Sequence, residues 1–237
     1  MLECLWADLG TVDYAGAFAL QRELVGRRQR GEIPDLLLLL EHPHVITLGR
    51  NGKRENLLAA EEHLRRAGVA FHPTDRGGDI TYHGPGQLVG YPILDLRHWK
   101  RDVVGYLRAL EQVLIDALSD FGIAAGRLAG MTGVWAEAPP GAPGPAKIAA
   151  MGVHISRWVT SHGFALNVTT DLSYFQYIVP CGLAGKPVTS MERLIGAAPP
   201  GERVIDALVR HFGRTFERQM TPVSAAQLES TEVLCPT

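Results

Sequence analysis

The sequence predicts an α+β fold, with helices packed on a mixed, mostly antiparallel sheet in one domain over residues 1–237. Three observations carry this. Strand-like and helix-like stretches follow one another without strict alternation, which argues against a doubly wound parallel sheet. Two long stretches, 13–30 and 102–121, place apolar residues at helical spacing. Of the 237 residues, 46% are hydrophobic and 20% charged, enough for one substantial core.

In chain order, Leu2 to Leu9 reads as a first strand. Asp13 is a suitable N-cap for a helix reaching Arg30, with Ala17, Phe18, Leu20, Leu24 and Val25 on its apolar face. Arg27 to Arg30 set cations at the negative end of that helix, before Gly31. Asp35 to Glu41 is expected to be a buried strand, followed by a turn at Pro43 and more strand. His42 and His44 flank that proline without acidic or cysteine partners nearby, which suits turn structure better than a metal site. Arg50 to Arg54 is a basic loop, and Ala60 to Ala67 a short helix.

A strand over Asp79 to Tyr82 and another over Gln87 to Leu96 bracket a glycine-rich centre. Asp102 to Phe121 is an amphipathic helix closed by Gly122. Leu128 to Ala136 looks like strand, and Pro139 to Pro145 like a hairpin-type loop, because strand pattern resumes at once. Lys147 to Ile155 and Trp158 to Val168 form an antiparallel pair. A loop begins near Val179, and Glu202 to Gln219 is a closing helix. Residues 221–237 read as a short helical piece or a frayed tail.

The net charge of −2 provides no global field for nucleic acid or a membrane surface. The longest aliphatic run, Leu36 to Leu40, is far too short to span a bilayer. The start, Met1 to Trp6, has no basic segment leading into a longer apolar one, so the expected location is the cytoplasm. Cys4, Cys181 and Cys235 are odd in number and widely spaced, which suits neither a disulfide framework nor a metal site.

Chemistry concentrates in three places. Arg76-Gly-Gly-Asp-Ile-Thr-Tyr-His-Gly-Pro-Gly-Gln87 holds far more glycine than a chain reversal needs. Glycine there lets a ligand approach the main chain without meeting a Cβ. Lys147 interrupts an otherwise apolar strand, so it either snorkels at an edge or sits against something functional. Cys181, between Pro180 and Gly182, is presented by a loop. Most free cysteines are small buried hydrophobes, but an ammonium near this one would favour its reactive thiolate.

The 76–87 string closely resembles that of the lipoyl (octanoyl) transferases, in the biotin/lipoate protein ligase superfamily. Lys147-Ile-Ala-Ala-Met-Gly-Val153, Ser161-His-Gly-Phe-Ala-Leu-Asn167 and Ile178-Val-Pro-Cys-Gly-Leu183 with Val188-Thr-Ser190 resemble three further blocks of that family. The 42–50 and 56–58 stretches extend the likeness over most of the chain. It departs from the family at Ala146 and the proline-rich loop before it, and at His154, where a basic residue is common.

The resemblance implies the ligase-like catalytic fold. It makes Cys181 the residue that carries the acyl group as a thioester and Lys147 the one that activates it. It also makes an acyl pocket of Arg76, Gly77, Gly78, Asp79, Ile80, Thr81, Tyr82 and His83, with Ala150, Met151 and Gly152 and with Gly163, Phe164 and Ala165. His83 is expected to position rather than to act as a base.

The implied donor is octanoyl-acyl carrier protein. The implied acceptors are lipoyl domains of 2-oxoacid dehydrogenase complexes and the glycine cleavage H protein, with Arg27 to Arg30 and Arg50 to Arg54 as candidate docking surfaces. A thioester is already activated, so no cofactor, nucleotide or metal is required. Two other readings remain at this point: an ATP-dependent lipoate or biotin ligase on the same fold, and a non-catalytic module binding acyl groups or lipoyl domains. The chain lacks a Walker-type string and the repeated glycine-arginine pattern of biotin ligases, which weighs against the first.

Overall fold

The computed structural model describes residues 1–137, 144–179 and 186–229. Its main sheet has eight strands, ordered β11 (Arg218–Pro222), β1 (Leu2–Thr11), β2 (Asp35–Glu41), β6 (Gln87–Ile93), β10 (Val159–Asn167), β9 (Ala146–Ser156), β8 (Met131–Ala136) and β7 (Ala125–Leu128). The β11–β1 and β1–β2 pairs are parallel and the other neighbours antiparallel, so the sheet is mixed as expected. A second sheet sets β3 (Val45–Leu48) between a parallel β4 (Ala70–Pro73) and an antiparallel β5 (Ile80–His83).

The unbroken leucines of β2 follow from its central place, because helices cover both faces there. Leu37 and Leu39 enter the core beneath α3 (Val103–Ser119) and α5 (Gly201–Phe216). Leu36, Leu38 and Leu40 enter a second core with Ala17 and Leu24 of α1 (Tyr14–Arg30). Each of these leucines contributes about 2 kcal/mol by burial. Asp13 caps α1 by accepting from Gly16 N–H, and Asp102 caps α3 through Gly105 N–H. Short helices α2 (Glu61–Arg66), α4 (Met191–Ile195) and α6 (Ala225–Glu229) complete the order. Among the described residues, no helix is long and apolar enough to cross a membrane.

Three expectations need correction. The strand expected over 128–136 is a hairpin of β7 and β8, because Gly130 takes a left-handed φ of 75° between them. The closing helix stops at Phe216, where Glu217 turns left-handed at φ 56°, and the chain becomes edge strand β11. Thr221 and Pro222 are therefore paired with β1, and the short helical piece, one of the two readings of 221–237, starts only at Ala225 as α6. The loop 139–145 lies almost wholly outside the described residues, as do 230–237.

Candidate active site

A cavity of about 210 Å³ opens between the two sheets, bounded by β5, β6, β9, β10 and the start of α1. Much of its wall is the carbon surface of Ile80, Val89, Ala150, Met151, Phe164 and Ala165. Glycine backbone supplies more of it at Gly78, Gly152 and Gly163. A Cβ on Gly152 would sit 2.6 Å from the Gly77 carbonyl oxygen, so this position lets the 76–78 loop close onto β9.

Lys147 enters the same cavity through a fault in the sheet. Val134 pairs with Ala149 but the next residue, Trp135, pairs with Lys147, leaving Ile148 as an extra residue on β9. Strict alternation would put Lys147 on the face of Ala149, which packs in the α3/α5 core. The bulge moves it to the face of Ala150 and Gly152. Its Nζ lies 4.8 Å over the Trp135 ring, and Gly133, at φ 119°, leaves room beside it.

Where β10 leaves β9, the chain after residue 185 continues the pairing. Lys147 N–H donates to the Pro187 carbonyl at 2.9 Å, and Thr189 N–H donates to the Lys147 carbonyl at 3.0 Å. On the other side of Cys181 in the sequence, Val179 N–H donates to the Asn56 carbonyl at 2.8 Å. Asn56 is in turn held by the Asp79 carboxylate, which also accepts from Lys53 N–H at 3.1 Å. Cys181 itself lies outside the described residues.

Arg76 and His83 of the wall belong to a chain of hydrogen bonds running in one direction. Arg76 Nη2 donates to Thr47 Oγ1 at 2.9 Å, and Thr47 Oγ1 lies 3.4 Å from His83 Nε2. His83 Nδ1 donates to Gln87 Oε1 at 2.7 Å, and Gln87 Nε2 to Asn167 Oδ1 at 2.8 Å. Asn167 Nδ2 ends the chain on the Thr189 carbonyl at 2.9 Å. This order places the His83 proton on Nδ1. Burial, then the charges of His42 and Arg76, hold His83 well below the ordinary histidine value, so it is neutral.

Of the residues expected to form the pocket, Arg76, Gly78, Asp79, Ile80, Thr81, His83, Ala150, Met151, Gly152, Gly163, Phe164 and Ala165 line the cavity together with Lys147. Gly77 and Tyr82 do not. Gly77 donates its N–H to the Val153 carbonyl at 2.9 Å. Tyr82 points to the opposite face of its strand, stacked on Tyr174 at 5.1 Å with its hydroxyl 2.7 Å from His44 Nδ1.

Tyr14, Tyr91 and His162 also line the cavity and were not anticipated. Tyr14 continues the apolar face of α1 one turn before Ala17, which its spacing could have revealed. His42 is a support, with Nε2 2.7 Å from the Tyr91 hydroxyl and Nδ1 2.7 Å from the Val12 carbonyl. Among the described residues, no three histidine, cysteine, aspartate or glutamate side chains gather as metal ligands.

The structure spreads Arg27 to Arg30 over different settings. Arg27 is buried, Arg28 pairs with Asp35, and Arg30 pairs with Glu32. In the Arg50 to Arg54 loop, Lys53 pairs with Glu55 and Arg54 with Glu61.

A mixed sheet of this topology is the catalytic fold of lipoate protein ligases. The bi-partite lipoate protein ligase of Thermoplasma acidophilum superposes with a TM-score of 0.75 at 16% identity, covering 97% of this chain and 89% of that one. The model of the lipoyl protein ligase A/B catalytic domain matches residues 13–213, and the chain belongs to that family. Within it, a protein of Solibacter usitatus (strain Ellin6076) named octanoyltransferase is 62% identical over 94% of this chain and 97% of its own. One of Koribacter versatilis (strain Ellin345) with the same name is 53% identical over 97% and 89%. The chain is a transferase enzyme.

Proposed function

We propose that the chain moves an octanoyl group from octanoyl-acyl carrier protein, through a thioester on Cys181, to a lysine of a lipoyl domain, as the first step of endogenous protein lipoylation. The observation that carries this is one ammonium, Lys147, aimed by a bulge into a largely carbon-walled cavity beside the chain that returns from Cys181. Octanoyl as the acyl group comes from the names of the relatives.

Cys181 thiolate attacks the donor carbonyl, forming a new thioester and releasing the carrier thiol. The neutral amine of the acceptor lysine then attacks that thioester, forming an amide and expelling the cysteine sulfur. The Lys147 ammonium gives its proton to the departing carrier sulfur in the first step and takes one from the acceptor amine in the second, which restores the ammonium beside the expelled thiolate. His83, fully engaged between Thr47 and Gln87, positions the wall. The acceptors are lipoyl domains of 2-oxoacid dehydrogenase complexes and the glycine cleavage H protein. The whole chain acts as one catalytic domain, in the cytoplasm, and needs no cofactor because the donor thioester is activated.

Intact-protein mass after mixing with octanoyl-acyl carrier protein, without ATP, tests this. Wild type should gain one hydroxylamine-labile octanoyl group that passes to a lipoyl domain, and Cys181→Ser should gain none. Transfer is assayed in parallel, because a short-lived adduct escapes trapping. Activity only with ATP and free acid would make the chain a ligase instead.

A further inference from the structure

We propose that Trp135 is a positioning residue for Lys147, holding its ammonium against the face of the indole ring; this deepens the transferase reading above and rests on it. The two are cross-strand partners, Trp135 on β8 and Lys147 on β9. Val134 and Ala136, on either side of Trp135, pack into the α3/α5 core, so alternation turns the indole to the cavity face. The bulge at Ile148 brings Lys147 to that same face, where its Nζ lies 4.8 Å from the ring centroid. An ammonium within about 6 Å of an aromatic face is attracted by the negative charge above the ring.

Core packing does not account for this tryptophan. It is 3% exposed, yet among the described residues it joins none of the three apolar clusters. Its buried Nε1 has no hydrogen-bond partner among them either. A buried indole N–H ordinarily finds one, and leucine or phenylalanine would strand no polar group. What tryptophan adds over both is the most strongly attracting ring face.

The rest of β8 fixes the ring beside Lys147. Gly133, two residues earlier, shares its face, and a Cβ there would come within 3.6 Å of Lys147 Nζ. The Gly133 N–H donates to Glu111 Oε1 at 3.1 Å. That carboxylate, fully buried, is held by Arg108 at 2.6 Å and Arg127 at 2.9 Å. The strand is thus anchored to α3 next to the ammonium.

Acylation needs Lys147 charged when the octanoyl carrier arrives. At 8% exposure little water remains to stabilise that charge, and the ring face offers attraction in its place. The ionisable groups lining the same cavity are Tyr14, Arg76, Asp79, His83, Tyr91 and His162, with Glu111 behind Gly133. Burial lowers both histidines and raises both tyrosines, so these four stay neutral between about pH 7 and about pH 10.

The test is the pH dependence of kcat/KM for octanoyl-acyl carrier protein, which reports on the free enzyme. It compares wild type, Trp135→Phe and Trp135→Leu with one lipoyl domain as acceptor. Wild type should lose activity on the alkaline side, as the ammonium gives up its proton. Trp135→Leu should move that limb to lower pH by about 1 unit, and Trp135→Phe, which keeps a ring face, by less. An unmoved limb in a leucine variant that still transfers overturns the proposal and leaves the transferase reading intact. A wild-type profile without the limb does the same. Wild type with no transfer at any pH overturns that reading instead.

Fluorinated tryptophan covers a substitution that abolishes folding or transfer. Of the four tryptophans, Trp6, Trp99 and Trp158 pack against the α3/α5 core. Fluorine drains the negative ring face and nearly keeps its shape. Mono-, di- and trifluorotryptophan should therefore step the limb to lower pH in turn, and a limb fixed across the series overturns the proposal.

Discussion

A methyl group on Gly152 would meet the Gly77 carbonyl oxygen at 2.6 Å and Arg76 Cδ at 3.1 Å. The first contact is main chain and cannot swing aside, so Gly152→Ala must push the 76–78 loop off β9. An Ångström-scale displacement of a substrate wall costs up to about 100-fold in rate. We expect kcat/KM to fall by about 10- to 100-fold, with circular dichroism unchanged; a smaller loss would mean that this loop does not shape the site. The buried histidines make a second prediction. Burial lowers the affinity of His42, His83 and His162 for a proton, and Asp75 opposes it only at His162. The unfolded chain protonates its histidines near pH ~6.5, and the native one only at lower pH. Between those limits the unfolded state holds more protons, so stability falls as pH falls. The urea midpoint should drop between about pH 7.5 and about pH 5.5. A flat midpoint would show that these rings are hydrated.

At the scale of elements, β9 and β10 make the site by breaking their own alternation. The bulge at Ile148 turns Lys147 inward, and the left-handed His162 does the same from the neighbouring strand. Both strands were legible from their sequence pattern, as was the Asp13 cap of α1, because those features are local. Neither irregularity was. A bulge depends on how two strands pair, and nothing in Ser161-His-Gly163 marks a left-handed histidine. For the same reason β11 was misread as the end of a helix: Arg218 to Pro222 is a half-exposed edge strand without an apolar run. The candidate site was legible through motif likeness, which supplied most of the cavity wall. Gly77 and Tyr82 fall outside that wall, because a motif is contiguous while successive residues of a chain face different ways. Asn167, at the end of β10, joins these elements by holding both Gln87 and the Thr189 carbonyl. Asn167→Ala should loosen the segment beside Lys147 and lower kcat about 10-fold or more. The lost buried hydrogen bonds should reduce stability by about 1–3 kcal/mol. Unchanged kcat with that stability loss would make the clamp purely structural.

At the scale of the whole molecule, the site occupies one half of the main sheet while a buried ionic cluster ties the other. Asp35 of β2, 2% exposed, accepts from Arg28 of α1 at 2.9 Å, from Arg218 of β11 at 2.8 Å and from Asp95 N–H at 2.9 Å. One carboxylate thus joins a helix end, the sheet centre and the C-terminal edge strand. Asp95 beside it also faces Arg28, at 3.7 Å, and is held below the ordinary carboxylate range: burial opposes this, and the hydrogen bonds from Arg97 outweigh it. Replacing such a cluster whole by apolar side chains can be neutral, but removing one partner leaves charges buried and uncompensated. Asp35→Ala strands the almost wholly buried guanidinium of Arg218 and leaves Arg28 only the more distant carboxylate of Asp95. The expected cost is about 3–5 kcal/mol by urea unfolding. Acyl transfer at low temperature should stay within about 2-fold of wild type, because sites that share no partners behave independently. A loss below about 1 kcal/mol would place the cluster in the class of hydrated surface pairs. A large loss of transfer in a folded variant would mean that the two halves of the sheet are coupled, and that β11 reports on the cavity rather than only closing the fold.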